Sequence, residues 1–314
     1  MHGAFRPEIF DFNAPPGATS ANTSYVGHRQ PSSGHSLLSI IRQAYDSDIM
    51  KPVMPYDPDA FISARFTDAC TNGRPEEIRR LASLWQIDTS DPTRTQAALN
   101  EKAEELIWTM TLLLVGSGRR GRKPRLDFFL MHLLNASLFI PSLLAAIPSV
   151  QSKVALLHSV VPVILLILLI RGRPRIDAEL AMSYTNVPRP PASAQGPTPG
   201  SSAIGDPSQD DDYNPWPTIV ASVLHAPDTH TLKAVRALYY GAVKLGRTPP
   251  GRAIGAFDGH GRETHPGMAM VDGSLFVRAA GVVMDTLGWV THGQKAGSWD
   301  RSALGWDDAW KNED

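Results

Sequence analysis

The chain has almost no cysteine. Cys70 stands alone among 314 residues. A disulfide framework is excluded, and so is a cysteine-rich zinc module. An excess of charge of one sign is also missing. Thirty Lys and Arg face 31 Asp and Glu, leaving a net charge of -1. That balance argues against a nucleic-acid partner, which a basic surplus would announce. Alternating strand patterns are scarce and no hairpin signal stands out, so the expected class is mainly α: a multi-helix, bundle-like domain with long irregular loops. A P-loop, His-Glu-x-x-His and Gly-x-Ser-x-Gly are all absent. Met1 to Pro7 precede no apolar stretch of the kind a signal peptide carries. The apolar run Ser159–Ile170 is too short to span a bilayer; extended back to Val154 it holds His158 and Pro162. The expectation is a cytoplasmic protein without a membrane span, with an anchor through Val154–Ile170 as the rival.

Charged residues are only 19% and apolar residues 42%, enough for a substantial core. Two stretches break the pattern. Residues 1–34 read as an irregular leader, with Pro15, Pro16 and Gly17 followed by a polar run. Residues 187–214, rich in Pro and Gly and closed by Asp210-Asp211-Asp212, read as a flexible loop. The helical parts are then 35–186 and 215–314. Asp91-Pro92 and Gly116 bracket one long helix as cap, first turn and C′ residue. Arg74-Pro75-Glu76-Glu77 opens another, Ala226-Pro227-Asp228 a third running to Tyr240, and Asp272–Leu287 a fourth. Phe128–Leu134 and Val154–Ile170 are apolar on most sides and read as central helices.

Gly116-Ser117-Gly118-Arg119-Arg120-Gly121 spells the dinucleotide fingerprint G-x-G-x-x-G. That motif needs a strand before it and a helix after it. Here a helix precedes it and Pro124 follows, so it reads as a helix end and a solvated basic turn. Arg119, Arg120, Arg122 and Lys123 touching a phosphate is the weaker reading.

The densest chemistry lies in His225-Ala226-Pro227-Asp228-Thr229-His230-Thr231-Leu232-Lys233. With Pro227 as first helical residue, His230 and Lys233 share a face, and the bend brings His225 round. Two imidazoles and a carboxylate suit non-haem iron or zinc. A desolvated Lys233 could act as base, or as ligand if carboxylated. The plainer alternative is that Asp228 caps the helix and the histidines make ordinary hydrogen bonds. His132 lies in an apolar helix and needs a partner; Asn135, one turn on, could orient it. Trp299, Trp306 and their neighbours make a packed cap or an aromatic wall for a flat ligand. His260, Glu263 and His265 read as exposed in a glycine-bounded loop.

Taken together, Tyr45–Pro52, Arg125–Leu134, Arg171–Arg175, His225–Leu238, Val271–Ala280 and the Trp299–Trp310 tail resemble the questin oxidase-like family. The resemblance runs over about 36–314. It implies oxidative tailoring: Baeyer–Villiger-type or dioxygenase-like opening of an anthraquinone or related aromatic polyketide, with NADPH and O2. It also implies histidine-bound iron, carried over onto His132, His225 and His230 with Lys233; beside it, Asp228 is expected to join Lys233 in the catalytic group and Trp299, Trp306 and Asn135 to shape the substrate cavity. Family members carry a longer, histidine-rich N-terminal region where this chain has its leader, which reads as a truncation. Two other functions stay open: an incomplete paralogue acting as a binding protein, and the membrane-anchored form.

Overall fold

The computed structural model describes residues 28–191 and 213–311, together with Ile9 and Ser202. Most of the leader and of the 187–214 loop lies outside the described residues. Ten α-helices make up the described fold: α1 (Leu37–Asp46), α2 (Ile62–Ala69), α3 (Arg74–Ser83), α4 (Pro92–Val115), α5 (Phe128–Ala146), α6 (Val150–Ile170), α7 (Ala178–Ser183), α8 (Pro215–Val223), α9 (Thr229–Leu245) and α10 (Leu275–Leu287). Among the described residues there are no strands, only two isolated bridges, Asp127 to Asp300 and Phe257 to Glu263. The mainly α expectation holds.

The central helix is α4. Its N-cap is Asp91, whose carboxylate accepts from the Thr93 N–H, and Pro92 fills the first turn. Gly116 ends it as the cap itself, in right-handed geometry (φ -88°), not as a left-handed C′ residue. From Glu105 through Val115 every side chain is buried. One side of α4 lies along α5, and α1, α7, α9 and α10 also contact it. Trp108 is fully buried and meets Phe276 of α10 with ring centroids 4.7 Å apart. The two helical parts of the chain therefore share a core.

The apolar runs expected to be central are mostly buried, over Phe128–Leu134 of α5 and from Leu157 to Ile170 of α6, but the helices extend beyond them to outward faces. Both are long and apolar enough to cross a membrane, yet only 44% and 50% of their most apolar windows are buried. Phe139, Leu143, Val150 and Val163 face outward. Helix α6 also starts earlier than its apolar run. Ser149 caps it by accepting from the Ser152 N–H, so Gln151, Ser152 and Lys153 are helical and the length is 21 residues. Length alone no longer argues against a span.

The irregular leader is pinned where it becomes describable. His28 stacks on Phe257 at 3.8 Å, Arg29 reaches Glu104 with both terminal nitrogens, and the Ser32 N–H donates to Glu101. Gly34 (φ +64°) follows, where a Cβ would lie 2.5 Å from the Leu84 carbonyl oxygen.

A buried charge pair ties this corner together. Lys102 and Glu105 are 0% and 1% exposed and bond at 2.6 Å. The other Glu105 oxygen accepts from the Leu37 N–H at 2.8 Å and from Trp85 Nε1 at 2.9 Å. Lys102 Nζ lies 5.1 Å from the centre of the Trp85 ring. Removing one charge strands the other in a low-dielectric interior. Glu105→Gln should therefore cost about 3–5 kcal/mol in chemical denaturation, and Lys102→Met paired with Glu105→Leu should recover most of that loss. Unchanged stability in Glu105→Gln would show that the pair holds nothing.

Candidate functional site

The site lies where α5 and α9 begin. Asp127 caps α5: one oxygen accepts from the Phe129 and Leu130 N–H groups at 2.8 and 3.2 Å. The other accepts from Arg171 Nε at 2.7 Å. Neither side chain of this pair is more than 2% exposed. Burial pushes the Asp127 carboxyl upward, opposed by the Arg171 charge and by the N–H groups it accepts from. The C-terminal tail pairs here through an isolated bridge. The Phe128 N–H donates to the Asp300 carbonyl and the Asp300 N–H to the Leu126 carbonyl, both at 2.8 Å. That pairing places Arg301 over the Phe128 ring at 3.7 Å.

Helix α9 is capped by Asp228, not opened by Pro227 as its first residue. Asp228 accepts from the His230 N–H at 2.9 Å and faces His230 Nδ1 at 2.7 Å. An ionised carboxylate can only accept, so His230 carries its proton on Nδ1 and presents a bare Nε2 when neutral. Burial raises the Asp228 pKa, but the bonds from His230 and the charges of His230 and Arg301 outweigh it, and the net direction is down. His132, in the second turn of α5, lies 5.1 Å from His230 between ring centroids, nearly perpendicular at 86°. Phe128 meets His132 at 4.7 Å and His230 at 5.0 Å. The result is a row, Asp228–His230–His132, floored by Phe128 and edged by Arg301.

His132 is held below the ordinary 6.5, first by burial, then by the charges of His230, Lys233 and Arg301. It is therefore a neutral imidazole at neutral pH. Lys233, one turn beyond His230, is exposed and belongs to the cationic edge.

Other expected members fall elsewhere. His225 is exposed on the turn before α9, where its backbone N–H donates to Ser222. Because α9 starts after Asp228, His225 is not bent round. Among the described residues no three His, Cys, Asp or Glu side chains are arranged to hold a metal ion. Iron held by His132, His225 and His230 is thus not assembled; His132 and His230 alone are brought together. Asn135 does not orient His132. Its Nδ2 lies 2.8 Å from the Met131 sulfur, and its buried Oδ1 has no partner. Trp306 packs on Gly172 (φ +80°), where a Cβ would lie 2.2 Å from the indole, and under Arg65 at 5.2 Å. Trp299 is buried in the core and its Nε1 has no partner.

Two residues escaped the sequence reading. Arg301 reaches the site only through the tail's pairing with 126–128. His265 is not exposed: it is 2% exposed, edge-on to Tyr45 at 5.7 Å, and burial drives its pKa down to about 3.

A family model described as "Questin oxidase-like" matches residues 3–238. The chain belongs to the questin oxidase-like family. The family's name is that of an oxidase, so the coarse function is that of an oxidoreductase. No curated protein matches the chain. The match starts earlier and ends earlier than the stretches that first suggested it. It takes in the leader, His132, Asp228, His230 and Lys233, but leaves out Val271–Ala280, the Trp299–Trp310 tail and with it Arg301.

The electrostatics make a definite expectation. Lys233→Met or Arg301→Gln removes a positive charge near His132, so its pKa should rise toward 6.5. Imidazole C–H resonances followed against pH would show it; no movement in either variant would remove these cations from the site. The unfolded chain takes up the His132 proton more readily than the folded one. Its contribution to stability therefore falls as the pH drops below 6.5.

Proposed function

We propose that this member of the family oxidises a phenolic aromatic polyketide, with His230 as general base. The observation that carries the reading is the Asp228–His230–His132 row beside a cationic edge. Asp228 fixes the tautomer and orientation of His230 and acts as a positioning residue. The bare Nε2 can take a phenolic proton. A neutral His132 does not compete by donating charge, and it can hand a proton on. Lys233 and Arg301 stabilise the phenolate that forms. Phe128 offers a flat apolar face to an aromatic ring. A phenolate is far richer in electrons than the phenol, which favours its oxidation.

The finer reading is Baeyer–Villiger-type oxidation of a ring ketone, with NADPH and O2 as co-substrates. Its balance is ketone, O2, NADPH and H+ giving an ester, NADP+ and water. One oxygen atom enters a carbon–carbon bond, the other leaves as water, and NADPH supplies two electrons. The described residues do not fit a three-ligand iron site: they offer two imidazoles and no third donor in place.

The test is oxygen consumption with hydroxyanthraquinone substrates and NADPH. Asp228→Asn should lower kcat about 10²-fold with KM little changed, the range expected for a misoriented base. His230→Ala should lose as much or more, and His225→Ala should keep both activity and any bound metal. Wild-type rates in Asp228→Asn and His230→Ala would overturn the proposal. Metal lost together with activity in His225→Ala would restore the three-histidine iron site in its place.

A further inference from the structure

A second constellation shares no residue with the histidine row. A cavity of about 380 Å³ opens between α1, the α4–α5 loop and the segment after α6. Four arginines line it: Arg42, Arg119, Arg120 and Arg175. His265 and Tyr45 form its buried side. The one carboxylate in the lining is Asp177.

Three of the arginines have acidic partners, but they do not use up their donors. Arg42 gives its Nε to Asp46 at 3.0 Å. Arg119 gives one terminal nitrogen to Asp307 at 2.6 Å. Arg120 is the most engaged, bound to Asp177 through two nitrogens and to Glu179 through one of them. Arg175 forms no ion pair among the described residues; its guanidinium rests on the Tyr45 ring at 5.1 Å. A guanidinium carries five N–H donors, so most remain available.

His265 supplies the second, independent observation. Both of its ring nitrogens are buried and without a partner. Tyr45 has no proton for the acceptor nitrogen, since its hydroxyl donates to the Pro174 carbonyl at 2.7 Å. Buried polar atoms left in this way are costly and call for a ligand or water. A neutral imidazole has one N–H donor and one acceptor nitrogen. The two nitrogens point to opposite sides of the ring, so a single group in the cavity can meet only one of them.

We propose that this cavity binds a phosphate group, free or as a monoester on an organic carrier. The arginines meet the anionic oxygens, the pairing for which guanidinium geometry is suited. The acceptor nitrogen of His265 takes the proton that a phosphate monoanion still carries; a monoester has its second pKa near ~6. Carboxylate and sulfate at the same pH are acceptors only and leave that nitrogen bare. The site therefore discriminates by protonation as well as by charge. It does not rest on the proposed oxidation.

Calorimetric titration of the whole chain near pH 6 tests this with inorganic phosphate, sulfate, NADPH and NADH. Phosphate should bind at least about tenfold more tightly than sulfate, as one lost bond to a charged group predicts. Arg175→Gln alters an exposed side chain, so folding should survive it; phosphate affinity should fall about tenfold. His265→Gln should reduce the preference for phosphate over sulfate. NADPH displacing phosphate while NADH fails would assign the site to a carried monoester. The diphosphate bridge common to both cofactors has no such proton. Binding of phosphate alone would assign it to the free ion. No phosphate or NADPH binding by the wild-type chain, or equal affinity in the wild type and Arg175→Gln, would overturn the proposal and leave His265 to water.

Discussion

The buried Asp127–Arg171 pair carries the histidine site. Asp127 does three things at once: it caps α5, neutralises the arginine that ends α6, and starts the segment against which the tail pairs. Both charges have left water, and each is tolerable only because the other is 2.7 Å away. Without the cap, the first turn of α5 would lose its entry angle. Phe128 stands on that turn, and His132 one turn beyond. Without the backbone pairing that follows, Arg301 would not lie over Phe128. A structural ion pair thus sets the positions of a ring, a base partner and a cation, though none of its atoms faces the histidine row.

The elements that sequence made legible are those governed by local chemistry. Asp91 and Asp228 cap helices as short acceptors placed before apolar periodicity should. The pairing of His230 with Asp228 follows from that cap, because a residue two positions on presents both its N–H and its ring to the same oxygen. What failed depended on distance or on a small change of phase. Moving the first helical residue from Pro227 to Thr229 leaves His225 on the preceding turn and takes apart the three-histidine set. Asn135 sits one turn from His132, but the Met131 sulfur reaches it first. The outward faces of α5 and α6 were invisible because uniform apolarity carries no phase to say which side is inside. His265 looked exposed among glycines; only the fold back of 255–267 against α1 buries it.

The family match and the geometry divide the site in an informative way. The proposed base, its orienting carboxylate and the neighbouring imidazole lie inside the matched 3–238. Arg301, the cation over Phe128, lies outside it. On the proposed reading, proton transfer falls to the part of the chain shared with the family, whereas one cation beside the substrate comes from a tail the match does not reach. Substrate choice is then expected to vary with the tail while the acid–base row stays in place.

The two histidine sites use the same physical device. Each places a neutral imidazole, depressed first by burial, beneath cations: Lys233 and Arg301 above His132, Arg42 and Arg175 around His265. Such a pair resists protonation on its own, because the added charge would meet both desolvation and repulsion. An anionic ligand meets the cations and leaves the imidazole neutral. A phenolate beside His132 would rest against Lys233 and Arg301 while its proton passes to the neighbouring His230. A phosphate beside His265 would meet the arginines and give its remaining hydrogen bond to a nitrogen that stays an acceptor. In both places burial and the surrounding cations keep an imidazole uncharged, so that the positive charge offered to the anion comes from fixed Lys and Arg side chains.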